Sequence, residues 1–199
     1  MPSPYPVSRM VLAAAAGVLS LCAAPEQSAA QNARLHEKIE LCKTCHGADG
    51  NSTIEKTPSL AGQPEFFLLN QLVLIREGVR PVREMAEAAR DLTDDDIQAL
   101  AAYYSRLPAK PAGPKPDPAL AAKAKPLAEK LLCGSCHGKG LEGIDQIPRL
   151  AKQRVDYLIY AMRAYKTDAR PGADTTMAAA IASASDSDLI ALAHYAASF

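Results

Sequence analysis

Excess charge of either sign is missing from this 199-residue chain: 22 Lys and Arg stand against 22 Asp and Glu. Without a basic surplus there is no electrostatic case for nucleic-acid binding. A long apolar run is missing as well. The longest, Met10 to Ala24, has fifteen residues, short of the roughly twenty that a helix needs to span a bilayer. Period-two alternation, the mark of half-buried strands, is nowhere sustained. Cysteine is scarce. Five are present; Cys22 lies in the N-terminal segment and the other four fall in two short motifs, so none remains for a disulfide. Histidine is limited to four positions.

The N-terminal segment reads as a secretory signal. Arg9 supplies a positive start, the fifteen apolar residues follow, and Ser28-Ala29-Ala30 offers small residues for cleavage. Residues 1–30 are therefore expected to be removed. Cys22 loosely suggests a lipoprotein signal, but the bulky Leu21 before it argues against one. Export places the chain in an oxidising compartment, in a bacterium the periplasm.

What the chain does have is one motif twice. Cys42-Lys43-Thr44-Cys45-His46 is matched, 91 positions on, by Cys133-Gly134-Ser135-Cys136-His137. C-x-x-C-H is the attachment sequence of c-type haem. Residues three and four apart on a helical turn share a face. Both thiols can then reach the vinyl groups at one edge of a porphyrin, and the next residue can aim its imidazole at the iron. A zinc ribbon also uses two C-x-x-C pairs. It does not ask for a histidine after each pair, and it gathers the pairs within one small domain. Two covalently attached haem c groups are expected, on Cys42 and Cys45 and on Cys133 and Cys136.

The repetition extends beyond the motif. Pro58-Ser59-Leu60-Ala61-Gly62-Gln63 returns as Pro148-Arg149-Leu150-Ala151-Lys152-Gln153, and Leu92 to Tyr104 matches Ala184 to Ala196. Between the copies, residues 107–118 hold five prolines in twelve positions, a composition that resists helix and acts as a semi-rigid spacer. The expected division is a first domain at 31–106, a linker at 107–118 and a second domain at 119–199.

Both halves read as all-α. An apolar helix opens at Pro64 and runs through Phe66-Phe67-Leu68-Leu69 to Ile75, with a counterpart from Tyr157 to Tyr165. Thr93-Asp94-Asp95-Asp96 and Ser185-Asp186-Ser187-Asp188 are N-cap signatures, with acids at the positive end of the helix dipole. The acidic run at Asp94 to Asp96 is thus a cap and a solvated face rather than a metal site. About 80 residues per domain is near the lower limit for an independent core. A covalently held macrocycle would supply its centre, lined by Tyr103 and Tyr195.

Iron needs ligands on both faces. His46 and His137 are the expected proximal pair. His36 and His194 have no counterpart in the opposite half, so a shared scheme cannot use them. Methionine fits better, since His/Met is the usual ligand pair of cytochromes c. Met85 lies 39 residues after His46, and Met177 lies 40 after His137. Met162 lies only 25 after and sits within an apolar helix, where methionine fills core space. A carbonyl at Pro58 or Pro148 could accept the other ring N–H of each histidine and fix its tautomer.

The order C-H-G-x-D-G, P-x-L-A-G-Q, an apolar helix, a methionine and an L-T-D-D-D-I start, doubled, resembles the dihaem cytochrome c4 family of tandem class I cytochromes c. The match covers the chain after residue 30 and is clearest in Cys45-His46-Gly47-Ala48-Asp49-Gly50. The resemblance implies a periplasmic shuttle with two His/Met haems, facing each other about a pseudo-twofold axis. Its partners would be redox proteins, such as a terminal oxidase or a cytochrome bc complex, with peripheral association at a membrane. The second half departs from the pattern: Gly140 replaces the aspartate, and Lys152 stands where Gly62 stands in the first. Two alternatives remain open. One is a dihaem electron-transfer subunit of a larger dehydrogenase; the other is a haem enzyme with a labile sixth ligand. Charge is split between the halves. Residues 31–108 carry 9 Lys/Arg against 12 Asp/Glu, net −3, and residues 109–199 carry 12 against 9, net +3.

Overall fold

The computed structural model describes residues 24–167, 170 and 175–199. Residues 1–23, most of the expected signal with Cys22, lie outside the described residues; Ala24–Ala30 form the first turns of a helix. The chain runs α1 (Ala24–His46), α2 (Glu65–Arg76), α3 (Arg83–Arg90) and α4 (Asp94–Ser105). It then repeats the order as α5 (Pro118–Lys130) with α6 (Cys133–His137), α7 (Val155–Lys166), α8 (Thr175–Ala180) and α9 (Asp186–Ala197). No strand occurs among the described residues, as the sequence leads one to expect; one isolated bridge joins Ile144 and Ile147.

The last helix of each half is the packing centre. In the first half α4 takes α1 and α2 against its buried Ile97, Leu100, Ala101 and Tyr104. In the second, α9 takes α5 and α7 against Leu189, Leu192 and Ala193. Both helices start in a full capping box. Thr93 accepts from the Asp96 N–H while Asp96 accepts from the Thr93 N–H; Ser185 and Asp188 do the same. Each cap satisfies amide donors left free by helix geometry and stabilises by about 1 kcal/mol. Asp96 is buried rather than solvated, and it also accepts from Arg34 at 2.7 Å, which ties α1 to α4. The ends of α2 and α7 are pinned alike: Arg76 donates to the Leu92 carbonyl and Lys166 to the equivalent Ala184 carbonyl.

The loops after the two motifs keep one shape despite different residues. The carbonyl of Gly50 accepts the N–H groups of Leu60 and Ala61, and that of Leu141 accepts those of Leu150 and Ala151. Gly50 and Gly62 hold φ of +77° and +65°; Leu141 and Lys152, their counterparts, take +56° and +55°. Left-handed conformations are unfavourable for side chains with a Cβ, so the second loop is imposed by its hydrogen bonds rather than preferred locally. One difference was not foreseen. Helix α1 runs unbroken to His46, whereas α5 stops at Lys130 and Leu132 turns left-handed (φ +56°) before α6. Gly134 and Ser135 stand where the first copy has Lys43 and Thr44, and glycine is about 1 kcal/mol poorer than alanine in a helix.

Residues 107–117 carry no helix, and Asp117 caps α5 with Pro118 at its first turn. This segment lies on the protein. Lys110 pairs with Asp49 at 2.8 Å, and a Cβ added at Gly113 would sit 2.8 Å from the Arg154 guanidinium. The halves meet through reciprocal contacts. Gln63 bonds the backbone of Arg149, and Gln153 bonds the backbone of Ser59, the equivalent pair with the halves exchanged. A contact repeated with its partners swapped is the signature of a twofold relation.

Candidate haem sites

Each motif histidine ends a helix and turns inward. His46 and His137 are buried, Cys42 and Cys133 are half-buried, and Cys45 and Cys136 are exposed. Thr44 and Ser135, the third residue of each motif, donate to the carbonyl three residues back at 2.6 Å, fixing the turn that sets the two thiols. Burial raises the pKa of Cys42 and Cys133, so both are neutral thiols.

The imidazoles are oriented by one bond each. His46 Nδ1 lies 2.8 Å from the Pro58 carbonyl, and His137 Nδ1 lies 2.8 Å from that of Pro148. A carbonyl can only accept, so Nδ1 carries the proton and Nε2 keeps its lone pair. Burial pulls both pKa values below the ordinary histidine value, against the smaller opposing pull of the carbonyl. The outcome is two neutral imidazoles with a free Nε2, the state a metal ligand requires. The proline carbonyls inferred from spacing are in place.

A haem also brings two carboxylates, and the protein offers buried and half-buried cations that meet no acid among the described residues. Arg149 is 5% exposed, its guanidinium donates to the Ala61 and Ala151 carbonyls, and its Nε has no partner. Burial alone pulls its pKa down to about 10. Arg80 and Arg170 converge from opposite halves on the side-chain oxygen of Gln71, at 2.7 and 3.1 Å. Tyr157 lies between them; burial opposes its ionisation, but the two guanidiniums bring its pKa below the ordinary value. Among the described residues no carboxylate pairs with Arg80, Arg149 or Arg170. Two adjacent guanidiniums, Arg170 buried and Arg80 half-buried, repel unless an anion joins them. Arg154, in contrast, is already paired with Asp156 at 2.9 Å. Sequence reading missed this pair, although the signal was present: Arg80-Pro81 and Arg170-Pro171 fall 34 and 33 residues after their motif histidines. The donors and cations thus fit a dicarboxylate macrocycle in each half.

Met85 lies half-buried on α3, which packs on α2; Met177 lies half-buried on α8, which packs on α7 and the Ile181 cluster. Met162 packs against all three core clusters of the second half, as a filler would. His36 is exposed. His194 Nδ1 accepts the Asp117 N–H at 2.8 Å, which fastens the start of α5 to α9. No three His, Cys, Asp or Glu come together as a metal cage among the described residues, and no described helix is long and apolar enough to cross a membrane.

Comparison with known proteins gives a consistent answer. The family described as cytochrome c oxidase, cbb3-type, subunit III matches residues 27–103. Cytochrome c4 of Pseudomonas aeruginosa is 34% identical over 79% of the chain and 83% of its own length. A thiosulfate dehydrogenase electron acceptor of Thiomonas intermedia is 34% identical over 84% and 79%. Among solved structures, reduced recombinant cytochrome c4 from Pseudomonas stutzeri superposes with a TM-score of 0.73 at 32% identity, covering 82% of this chain and 96% of that one.

Proposed function

Because the chain belongs to the cytochrome c4 family, electron-transfer proteins with two tandem class I cytochrome c domains, we propose that it is a periplasmic dihaem carrier moving single electrons between redox proteins. The observation that carries this reading is the pair of 2.8 Å bonds from His46 and His137 to proline carbonyls. They leave the Nε2 lone pair of each histidine uncommitted, one per half.

Haem c, when bound, supplies a reversible one-electron iron couple. The protein's residues do the rest. Cys42 and Cys45 hold one group by thioether bonds, and Cys133 and Cys136 hold the other. His46 and His137 would hold the iron through Nε2, and Met85 and Met177 through their thioether sulfur. Thioether sulfur favours the reduced state and raises the potential. Arg80, Arg149 and Arg170 would pair with the propionate carboxylates and offset the cost of burying them. With a histidine and a methionine in each half to hold the iron, no coordination site would be left for a substrate, which would separate a carrier from a haem enzyme. The domains are taken as 31–106 and 119–199, joined by 107–118, after removal of residues 1–30.

A cytochrome bc complex can be the donor and a terminal oxidase the acceptor. Similarity to a thiosulfate dehydrogenase electron acceptor favours a second reading within the same chemistry, in which a periplasmic dehydrogenase is the donor. Intact mass and carbon monoxide binding test the proposal. The secreted protein should exceed its processed apoprotein by two haem masses, both resistant to acid-acetone, and the reduced form should bind carbon monoxide weakly at neutral pH. Rapid binding by one haem would move the assignment to an enzyme. Rapid reduction by a thiosulfate dehydrogenase and thiosulfate, set against a ubiquinol-fed bc complex, would separate the two donors.

A further inference from the structure

The peptide group that accepts from each motif histidine is held on its other side by a glutamine of the opposite half. In the first half the Pro58 carbonyl takes the His46 Nδ1–H at 2.8 Å. The N–H of that same peptide group belongs to Ser59 and donates to Gln153 Oε1 at 2.8 Å, while Gln153 Nε2 donates back to the Ser59 carbonyl at 2.9 Å. In the second half the Pro148 carbonyl takes the His137 Nδ1–H at 2.8 Å, and the Arg149 N–H of that peptide group donates to Gln63 Oε1 at 3.0 Å. Gln63 Nε2 closes the ring on the Arg149 carbonyl at 3.0 Å. Gln63 and Gln153 are 4% and 2% exposed, so these bonds act without competition from water.

We propose that the two glutamines are crossed positioning residues: Gln153 sets the basicity of His46 and Gln63 that of His137, so each iron potential is fixed partly by the other domain. The link runs through one peptide group. When its N–H donates to an amide oxygen, electron density shifts onto its carbonyl oxygen, and chained hydrogen bonds strengthen one another. The stronger carbonyl pulls harder on the Nδ1 proton, which makes Nε2 a better electron donor, as outer partners of ligand histidines do. A more basic imidazole stabilises oxidised iron and lowers the potential. The inference rests on the proposed ligation by His46 and His137.

A glutamine that merely held the halves together would act differently. Its loss would loosen the interface and move both haems or neither. The crossed assignment is tested in the full-length haem-loaded protein with Gln153→Leu and Gln63→Leu. The potential of each haem is followed through its own hyperfine-shifted imidazole signals during a redox titration. Gln153→Leu should raise the potential of the His46 haem by a roughly threefold change in its reduction equilibrium, ~30 mV at about 59 mV per tenfold for one electron. The His137 haem should move by less than a third of that. Gln63→Leu should give the mirror result. In the reduced state the Nδ1–H resonance should shift upfield only at the histidine opposite the substituted glutamine, reporting a weakened bond. If a leucine variant does not fold, Gln153→Glu and Gln63→Glu keep the acceptor oxygen and should lower the potential of the same opposite haem. Equal movement of both haems, movement of the haem in the substituted domain alone, or no movement would overturn the proposal. Absence of two histidine-ligated low-spin spectra in the unsubstituted protein would instead remove the ligation on which it rests.

Discussion

At the scale of single residues, function depends on which atoms are left free. Both motif histidines have their Nδ1 proton committed to a carbonyl, and the two methionine assignments can be separated from the third methionine by their consequences. Met85→Ala should open only the first haem and Met177→Ala only the second. Each should lose its sulfur-to-iron band in the far red, gain carbon monoxide binding and fall in potential. Met162→Ala should leave both spectra unchanged and cost about 2 kcal/mol in denaturant unfolding, because it is only half-buried while touching three clusters. The cations that meet no carboxylate among the described residues give another test. Arg80→Gln or Arg170→Gln removes positive charge that favours the reduced iron, on the order of 1 kcal/mol at an effective dielectric near 20. The potential should therefore fall, as read by spectroelectrochemistry. The proline carbonyls that hold the motif histidines were legible because their spacing repeats in both copies. The arginines were overlooked because an isolated Arg-Pro dipeptide carries no chemistry until folding brings two of them onto Gln71.

At the scale of helices, the N-caps at Thr93 and Ser185 were legible because a side chain and an amide three residues apart meet regardless of tertiary context. The break before α6 was not legible, since Gly134 and Ser135 lower helix propensity without specifying a left-handed Leu132. Nor could spacing show that Lys152 would hold the conformation of Gly62; it sits in a turn closed by the Gln153 N–H on the Leu150 carbonyl, and that turn is anchored to Leu141. The caps yield a pH prediction. Burial raises the Asp96 pKa, but the Thr93 N–H and Arg34 outweigh it and bring the net value below 3.8. A depressed carboxylate contributes stability that is present above its unfolded pKa and lost as pH falls through the folded one. Asp96→Asn should therefore cost about 1–2 kcal/mol at pH 7. The gap between it and the unsubstituted protein should close below about pH 3.8, followed as urea midpoints across pH.

At the scale of the whole molecule, the halves carry opposite net charge, −3 and +3 by sequence. If donor and acceptor each approach one end, raising ionic strength should slow electron transfer with both partners through screening of attraction. Stopped-flow rates at several salt concentrations measure this, and salt-independent rates with both would show that the split has no role in docking. The duplication itself was legible as a repeat. How the copies meet was not, because the glutamines pair with backbone 86 and 94 residues away, and nothing local marks a residue for so distant a partner.

Ser59 and Arg149 occupy the same place in the two copies, beside the contact that relates the halves. In an assembly of two identical chains whatever stands at such a place confronts its own duplicate, so an arginine there would force two guanidiniums into one dry seam. Joining the copies in a single polypeptide lifts that constraint: one copy keeps the cation and the other yields a small hydroxyl buried completely at 0% exposure. The tandem arrangement thus permits broken symmetry where a homodimer would be bound to obey it. Ser59→Arg restores the forbidden equivalence, and it should part the halves at a cost of about 3–5 kcal/mol. Calorimetry would register this as one thermal transition splitting into two.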